Sequence, residues 1–257
     1  MNIFIKKILF HTLTFAKSFK NLIQVIFMPQ NYASQKKRKM RMVLAFLRRQ
    51  YGDEVGTSIL KKRNDLFQLL ISTVLSQRAL DETTEVVSER LFSVVKTPED
   101  ILKMERGKLD KIIRPSGPFR QKAKKIIEIS KVLARDYRNS FPRTREELMS
   151  MHGVGPKTAD IVLSYGFGIP VIAVDVHVDV VSKRLGFARQ KAKYEEIRSS
   201  LEQLVPEKER FIVNLGFVNF GKEICITRRP RCEICGLKRI CGYYASGKKS
   251  ILKRKAV

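Results

Sequence analysis

The chain has 257 residues, with 51 Lys and Arg against 25 Asp and Glu and a formal net charge of +26. This length suffices for one large or two small domains with a buried core, and no repeat of solenoid type is visible. The charge makes a nucleic acid the leading partner and an anionic membrane surface the second. Lysines interrupt the apolar stretch at the N-terminus, which excludes a transmembrane helix there.

The first 52 residues are the most basic part, with eleven Lys and Arg and no Asp or Glu. Within them, residues 1–28 suit a basic amphipathic helix or a transit-like peptide. The alternative, which we favour, is an upstream extension with the true start at Met28 or Met40. The rest of the chain still holds 40 basic against 25 acidic residues, so the nucleic-acid prediction stands without them. We expect residues 1–39 to be an extension and residues 246–257 to be a basic tail.

The first helices of the folded part can be read from apolar spacing and caps. Apolar residues at helical intervals predict a buried helix from Asp65 to Gln77, with Asn64 as its N-cap. Thr97 and Pro98 predict a second helix, as its cap and its first residue. The apolar stripe of the first helix is predicted to lie in the core.

A long basic helix is predicted from Arg120 to Tyr137, after Gly117 and Pro118 break the pattern. Its predicted inner face consists of Ala123, Ile126, Ile127, Ser130 and Leu133 or Ala134. Further helices are predicted over 194–204 and 208–220, and only 169–174 reads as a strand. The sequence therefore predicts an all-α fold.

The most informative stretch is Met151–Val181. A capping box of Thr144 and Glu147 predicts a short helix that ends near Met151. Gly153 and Gly155 suit a tight hairpin because glycine accepts positive φ freely. Pro156 then fits the first position of a helix that runs to about Tyr165. The prediction is a helix-hairpin-helix unit.

This hairpin presents the free N–H groups of Gly153–Lys157, which favour an anion such as a DNA phosphate. Lys157 lies in the first helical turn, where the helix dipole and a partly dry site would favour its neutral form. A neutral amine forms Schiff bases with sugar aldehydes. Asp175 is predicted to cap the next helix, Val176–Arg184, and to face Lys157. The alternatives are a hairpin that only grips DNA and an aspartate that only caps.

Four cysteines follow near the C-terminus, spaced C-x6-C-x2-C-x5-C. They are unlike a dispersed disulfide framework and indicate an intracellular metal site, consisting of Cys225, Cys232, Cys235 and Cys241. The spacing suits one zinc ion or a [4Fe–4S] cluster, and zinc is the more frequent choice for paired cysteines. The loop also carries Arg228, Arg229 and Arg231, whose density favours contact with DNA phosphates.

Together these motifs resemble the endonuclease III branch of the helix-hairpin-helix DNA glycosylases. The resemblance extends from Met40 to Tyr244 and rests on LLISTVLSQRALD, Phe119-x-x-Lys122-Ala123, HGVGPKTAD, AVDVHV and the cysteines, in family order. It implies a [4Fe–4S] cluster on the four cysteines. It also implies that Lys157 is the Schiff-base lysine and Asp175 the catalytic aspartate.

The resemblance implies two α-helical lobes around a cleft. One is a helical barrel over 66–185, and the other combines 40–65 with 186–245 and bears the cluster. The implied partner is double-stranded DNA with a damaged base or an abasic site, bound by a monomer without a membrane or a small-molecule substrate. The expected DNA contacts are Gln77, Arg78, His152, Gly153, Val154, Gly155, His177, Arg228, Arg229 and Arg231.

Three positions depart from the family pattern. The order Ser76-Gln77-Arg78 replaces the usual Leu-Ser-x-Gln, so either Gln77 or Arg78 fills the gap left by a flipped base. Val180 replaces an arginine that often follows the histidine of AVDVH. The adenine-mismatch branch, with a glutamate near Ser72 and no lysine, does not fit.

The implied function is base excision repair inside the cell. The enzyme would remove oxidised pyrimidines and cut the strand 3′ to the abasic site by β-elimination through a lysine Schiff base. Two alternatives remain at this point: a mismatch or alkyl-base glycosylase that uses water, and a non-catalytic helix-hairpin-helix protein that only binds DNA.

Overall fold

The computed structural model describes residues 30–57, 65–138 and 140–247. Every regular element within these ranges is helical, which confirms the all-α prediction. The α-helices are α1 Gln30–Thr57, α2 Leu66–Leu75, α3 Asp81–Val94, α4 Pro98–Lys103, α5 Arg106–Ile113, α6 Phe119–Asp136, α7 Arg145–Ser150, α8 Pro156–Ile161, α9 Val176–Leu185, α10 Tyr194–Leu204, α11 Arg210–Glu223 and α12 Gly242–Ala245. Short 3-10 helices lie at Arg114–Ser116, Glu207–Glu209 and Lys238–Ile240, and α8 continues as a π-helix over Val162–Gly166.

Helix α1 begins at Gln30 and runs past Met40, so the expected start of the folded part falls inside a helix. By its internal contacts the chain divides after Met42 into two compact units. The described part of the first unit is the beginning of α1, and the second unit is Val43–Val257. None of the helices in the described ranges has the length and apolar character needed to cross a membrane.

Side-chain caps set the beginnings of several helices. Thr97 and Thr144 each form a capping box with the acidic residue three positions on, as predicted for Thr144, and Pro98 is the first residue of α4. Helix α2 is capped by Asp65, whose Oδ1 accepts from the Gln68 N–H at 3.1 Å. The prediction of Asn64 as this cap is therefore wrong, because the carboxylate of the next residue reaches the third helical N–H; Asn64 itself lies outside the described residues.

The predicted strand over 169–174 is also wrong, because this segment has no regular structure. Its N–H groups bond to nearby carbonyls and to distant side chains instead of a neighbouring strand. The Ile169 and Val171 N–H groups donate to the carbonyls of Leu163 and Ile169, at 3.0 and 2.8 Å. The Ile172 N–H donates to Glu202 Oε1 at 2.9 Å, and the Val174 N–H donates to the Tyr194 hydroxyl at 3.2 Å. The N–H groups of buried Ile172 and Val174 are thus satisfied without a strand partner.

One hydrophobic core surrounds α2, and eight of its ten residues are buried. The predicted apolar stripe of this helix is confirmed. Burial of each large apolar side chain contributes about 1.5–3 kcal/mol, so α2 is held mainly by packing. The buried core residues from neighbouring elements include Val87, Leu91, Ile101, Leu109, Ile113, Ala123, Ile126, Ile129, Leu148 and Val162.

The inner face of α6 differs from the predicted one. Ile127 and Ala134 are only half-buried, whereas Ile129 and Lys122 are buried. The Lys122 side chain is 2% exposed, and its Nζ donates to the carbonyl oxygens of Leu75, at 2.6 Å, and of Ser116. Burial, with a smaller contribution from the charge of Lys125, lowers the pKa of Lys122 to about 8. Lys122 thus joins the end of α2 to the turn before α6.

Replacing Lys122 by Met removes both hydrogen bonds while nearly keeping the side-chain volume. We expect the free energy of unfolding to fall by about 2–4 kcal/mol, because two buried carbonyl groups lose their donor. Urea denaturation measures it, with exposed Lys124→Met as the matched control. An unchanged midpoint would show that the carbonyls find other donors.

The same variant gives a pH test. The pKa of Lys122 is lowered from 10.5 to about 8 in the folded protein, so between these pH values the unfolded chain holds a proton that the folded chain has released. The stability of the wild type should therefore rise with pH across this window relative to Lys122→Met. A neutral amine keeps two N–H donors, so both hydrogen bonds survive this deprotonation.

Close helix packing brings α9 and α11 together. A Cβ on Gly221 would lie 2.5 Å from His177 Nδ1, so the imidazole of α9 rests directly on the backbone of α11. A Cβ on Gly216 would likewise lie 3.1 Å from the side chain of Leu47. These glycines let α11 approach its neighbours closely, which positions the face that lines the pocket described next.

Candidate active site and cysteine cluster

The predicted hairpin lies between α7 and α8. Gly153 has φ +92°, and a Cβ there would lie 2.6 Å from the side chain of Lys125, so this position requires glycine. Gly155 has an ordinary extended conformation, with φ −97°, and among the described residues no atom beyond its immediate chain neighbours lies within 4 Å of the position of a Cβ. The prediction of positive φ is therefore confirmed for Gly153 only. The missing side chain of Gly155 leaves the N-terminus of α8 open to an approaching group.

Lys157 is the second residue of α8, and its side chain is exposed. The condition of a partly dry site is therefore not met at Lys157 in the free protein. Water can be removed from Lys157 only when a ligand covers it. The open helix start beside it favours an anion, since the first N–H groups of a helix have no partner within the helix.

Asp175 is the N-cap of α9, as predicted. Its Oδ1 accepts from the His177 N–H at 2.9 Å and from the Val178 N–H at 2.8 Å. These two bonds fix the carboxylate and use one of its oxygens. The other oxygen takes no part in the cap.

A pocket of about 400 Å³ contains both Lys157 and Asp175 in its lining. Residues from α2, α3, the π-helix and α11 form the rest of its wall, including Ser72, Thr73, Thr84, Tyr165, Asn214 and Val218. At the rim Lys222 forms an ion pair with Asp81. The structure thus brings the predicted lysine and aspartate together at one pocket. Sequence reasoning missed Tyr165 and Asn214, and no local signal in the sequence marks them.

A hydrogen-bond network holds the backbone that leads to Asp175. The Tyr194 hydroxyl donates to Asp160 Oδ2 at 2.8 Å and accepts the Val174 N–H. Arg145 Nε donates to Asp160 Oδ1 at 2.9 Å. Asp160 is fully buried, and burial raises its pKa despite these partners. The network therefore connects α7, α8 and α10 to the residue before Asp175.

Gln77 and Arg78 have different environments. The Gln77 amide donates to the Gly153 carbonyl at 3.3 Å and accepts from Lys125 Nζ at 2.7 Å. Arg78 is exposed and, with φ +55°, is the one non-glycine residue of the described ranges with positive φ. A Cβ on Gly117 would lie 3.2 Å from its carbonyl oxygen. Gln77 is thus engaged with the hairpin, whereas Arg78 projects from a closely packed turn.

The other residues expected to contact DNA differ in their exposure to solvent. His152 is exposed beside the hairpin, and Val154 is buried. The His177 imidazole packs on α11, and its Nδ1 is buried without a hydrogen-bond partner among the described residues. The loop after α11 exposes three arginines, namely Arg228, Arg229 and Arg231.

The four cysteines line one small pocket together with Arg184, Phe220 and Tyr243, and none forms a disulfide. Arg184 Nη1 lies 3.4 Å from Cys225 Sγ and donates to the Cys225 carbonyl at 2.9 Å. Burial is the main cause that raises the pKa of Cys235 to about 11. No group of three or more His, Cys, Asp or Glu side chains in the described ranges is arranged to hold a metal ion.

Comparisons with known proteins show the family of the chain. Residues 71–207 match the HhH-GPD superfamily base excision DNA repair protein family. Endonuclease III of Thermotoga maritima is 45% identical over 183 residues, which cover 71% of this chain and 85% of that protein. Endonuclease III of Bacillus subtilis is 38% identical over 189 residues, or 73% and 86% of the two chains.

Solved structures show the same fold. A trapped endonuclease III–DNA covalent intermediate superposes with a TM-score of 0.76 at 34% identity, covering 82% of this chain and 98% of that one. A thermostable thymine-DNA glycosylase superposes with a TM-score of 0.72 at 26% identity, covering 83% and 98%. The chain therefore belongs to the endonuclease III branch of the HhH-GPD superfamily of base excision DNA repair proteins.

Proposed function

We propose that the chain is a DNA glycosylase and AP lyase that removes oxidised pyrimidines from duplex DNA, with Lys157 as nucleophile and Asp175 as its partner. The observation that carries this proposal is the presence of both residues at one pocket beside an open helix N-terminus. The net charge of +26 favours a polyanionic substrate. This substrate places the enzyme inside the cell, with the DNA.

Base removal requires the damaged nucleotide to leave the stack, because its C1′ atom is otherwise inaccessible. The hairpin N–H groups would grip a phosphate, and the pocket would receive the extruded nucleotide. Arg78 is the better candidate for filling the vacated space, because Gln77 is already bonded to Gly153 and Lys125. Arg78 is exposed on a turn. The hydrogen bond from Lys122 Nζ to the Leu75 carbonyl and the close packing of Gly117 against the Arg78 carbonyl hold this turn in place.

The chemistry uses one amine for both activities. Lys157 Nζ attacks C1′, the bond from C1′ to the base breaks, and the base leaves with the bonding electron pair and a proton. Asp175 accepts the proton that Nζ loses and stabilises the positive charge that develops on the sugar. The sugar ring opens to an imine, the C2′ proton is removed and the C3′–O bond breaks, which cuts the strand. Water then releases Lys157.

Two other functions predict different behaviour. A glycosylase that uses water would release bases without cutting the strand, and a non-catalytic DNA-binding protein would do neither. Duplex DNA with a single abasic site distinguishes the lyase from both alternatives without any assumption about the lesion, and base release from a damaged duplex then distinguishes the two alternatives from each other. We expect a nick 3′ to the site and, with borohydride, a covalent protein–DNA complex. Binding without a nick or a covalent complex would contradict the proposal.

We further propose that Cys225, Cys232, Cys235 and Cys241 hold a [4Fe–4S] cluster. A single zinc ion needs four sulfurs within about 2.3 Å of one point. In a cubane cluster each thiolate binds a different iron, so the sulfurs stand further apart around a common cavity. The four unpaired cysteines around one pocket suit this arrangement.

The cluster would tie the loop 225–241 to α9, since Arg184 already bonds to the Cys225 carbonyl. Four thiolate ligands leave no open coordination position, so its chemistry is structural. It would hold the exposed arginines Arg228, Arg229 and Arg231 in place for phosphate contact.

The composition of the purified protein tests the cluster. We expect about four iron and four acid-labile sulfide per chain. Stoichiometric zinc without sulfide would contradict it. Chelation of the iron should lower the melting temperature, because the loop loses its cross-link. Cys235→Ser removes one ligand and should lower the melting temperature in the same direction.

A further inference from the structure

The chain immediately before Asp175 has no regular structure and is held by side chains of helix α10. The Ile172 N–H donates to Glu202 Oε1, and the Val174 N–H donates to the Tyr194 hydroxyl. Ile172 and Val174 are both buried, so water cannot readily replace these partners. Neither Glu202 nor Tyr194 lines the pocket. The position of Asp175 therefore depends on a helix that lies behind the site.

Tyr194 also reaches the helix that carries the lysine. Its hydroxyl donates to Asp160 Oδ2 at 2.8 Å. Asp160 lies in α8, three residues after Lys157, and is fully buried. Arg145 Nε donates to the other carboxylate oxygen of Asp160 at 2.9 Å, which fixes the orientation of this carboxylate. One continuous chain of hydrogen bonds thus runs from the helix of Lys157 to the residue before Asp175.

The Tyr194 hydroxyl is the central link of this chain. It donates its proton to Asp160 and accepts the N–H of Val174. Burial raises the pKa of Tyr194, with the charge of Asp160 as a second cause, so the hydroxyl stays protonated and keeps both bonds. Phenylalanine would occupy nearly the same space without the oxygen, and the chain of hydrogen bonds would be broken at a single atom.

We propose that Tyr194 is a positioning residue of the reaction, which sets the place of Asp175 relative to Lys157. Its hydroxyl acts through the backbone of Val174 and lies outside the pocket in which the reacting atoms meet. A displacement of about 1 Å in a catalytic group can slow a reaction about 10²-fold, so the loss of this one hydroxyl has a measurable effect. The inference rests on the proposed function, since it concerns the geometry of the same lysine–aspartate pair.

Tyr194→Phe tests this role. Single-turnover excision would be measured at saturating enzyme on a duplex with one thymine glycol, which is an oxidised pyrimidine. Binding would be measured by fluorescence anisotropy on a duplex with a tetrahydrofuran abasic analogue, which has no aldehyde for Lys157. We expect about tenfold slower excision and a dissociation constant within about twofold of that of the wild type, because the hydroxyl orients a group that acts in the chemical step.

Tyr51→Phe is the matched control. Tyr51 is 5% exposed, and its hydroxyl also donates to a carboxylate oxygen, Glu223 Oε2, at 3.0 Å. Tyr51 lies in α1 and does not line the pocket. Both substitutions should lower the melting temperature by about 2–4 °C, the shift for about one lost hydrogen bond in a chain of this size. Only Tyr194→Phe should slow excision.

A double-mutant cycle with Asp175→Asn separates positioning from a general loss of structure. Asparagine at this position has no negative charge to be placed beside Lys157. If Tyr194 acts through Asp175, adding Tyr194→Phe to Asp175→Asn should slow excision by less than about twofold further. A defect elsewhere in the fold would instead reduce the rate of Asp175→Asn by the same factor as that of the wild type.

Three results would overturn the inference. These are excision by Tyr194→Phe at the wild-type rate, an undiminished effect of Tyr194→Phe in the Asp175→Asn variant, and equally slow excision by Tyr51→Phe. If the wild type neither excises thymine glycol nor cleaves an abasic site, the proposed function itself is refuted, and this inference falls with it. An active wild type with any of the three results refutes the role of Tyr194 alone.

Discussion

Lys157→Gln should abolish both the nick at an abasic site and the borohydride-trapped complex, a loss of about 10³-fold or more, as expected when a covalent nucleophile is removed. Only an amine can form the imine, and glutamine has a side chain of similar length without one. Denaturing gel electrophoresis of labelled duplex shows both products. Because Lys157 is exposed, the substitution should leave the melting temperature nearly unchanged.

DNA binding should survive this substitution. The hairpin N–H groups and the exposed arginines after α11 remain, and one charge among 51 Lys and Arg contributes little. Lys191→Gln, an exposed lysine outside the pocket, is the matched control and should still be trapped. If Lys157→Gln still forms the covalent complex, another amine reacts; Lys222, at the pocket rim, would then be the first to replace.

Asp175→Asn should slow base excision by about 10²–10⁴-fold, the range for a positioned acid–base group. Asparagine keeps an oxygen that can accept from the His177 and Val178 N–H groups, and it is as good an N-cap as aspartate. The fold should therefore persist while the negative charge is lost. Single-turnover excision at saturating enzyme measures the chemical step, and fluorescence anisotropy measures binding.

A second variant separates the cap from the chemistry. Asp175→Ala removes both functions and should lower stability by about 1 kcal/mol, as for other lost N-caps. Equal loss of activity in Asp175→Asn and Asp175→Ala, with lower stability only in the latter, is the expected result. Normal excision by Asp175→Asn would mean that Asp175 is only a cap.

The helices and the central motif could be predicted from the sequence because their signals are local. Capping residues such as Thr144 satisfy the N–H groups of the turn that follows, so a few neighbouring residues set the start of a helix. The same holds for Asp175 and α9. The cysteine spacing likewise places four thiols within one short loop before any folding is considered.

Local sequence patterns gave wrong predictions where the hydrogen bonds of the backbone are made with residues distant in the sequence. The segment 169–174 has the composition of a strand, but the N–H groups of Ile172 and Val174 bond to Glu202 and Tyr194, which approach only when α10 folds against it. Lys122 lies on the inner face of a helix whose pattern predicts apolar residues there. Its burial depends on two carbonyl groups that distant turns supply.

The sequence by itself determined the helical class, the hairpin, the lysine–aspartate pair and the four cysteines. Tertiary structure alone decided that Ser72, Tyr165 and Asn214 meet Lys157 in one pocket, and that Gln77 is engaged while Arg78 is exposed. The physical reason is the range of the interactions. Helix periodicity and capping act within a few residues, whereas a pocket is made by side chains that only packing of separate helices brings together.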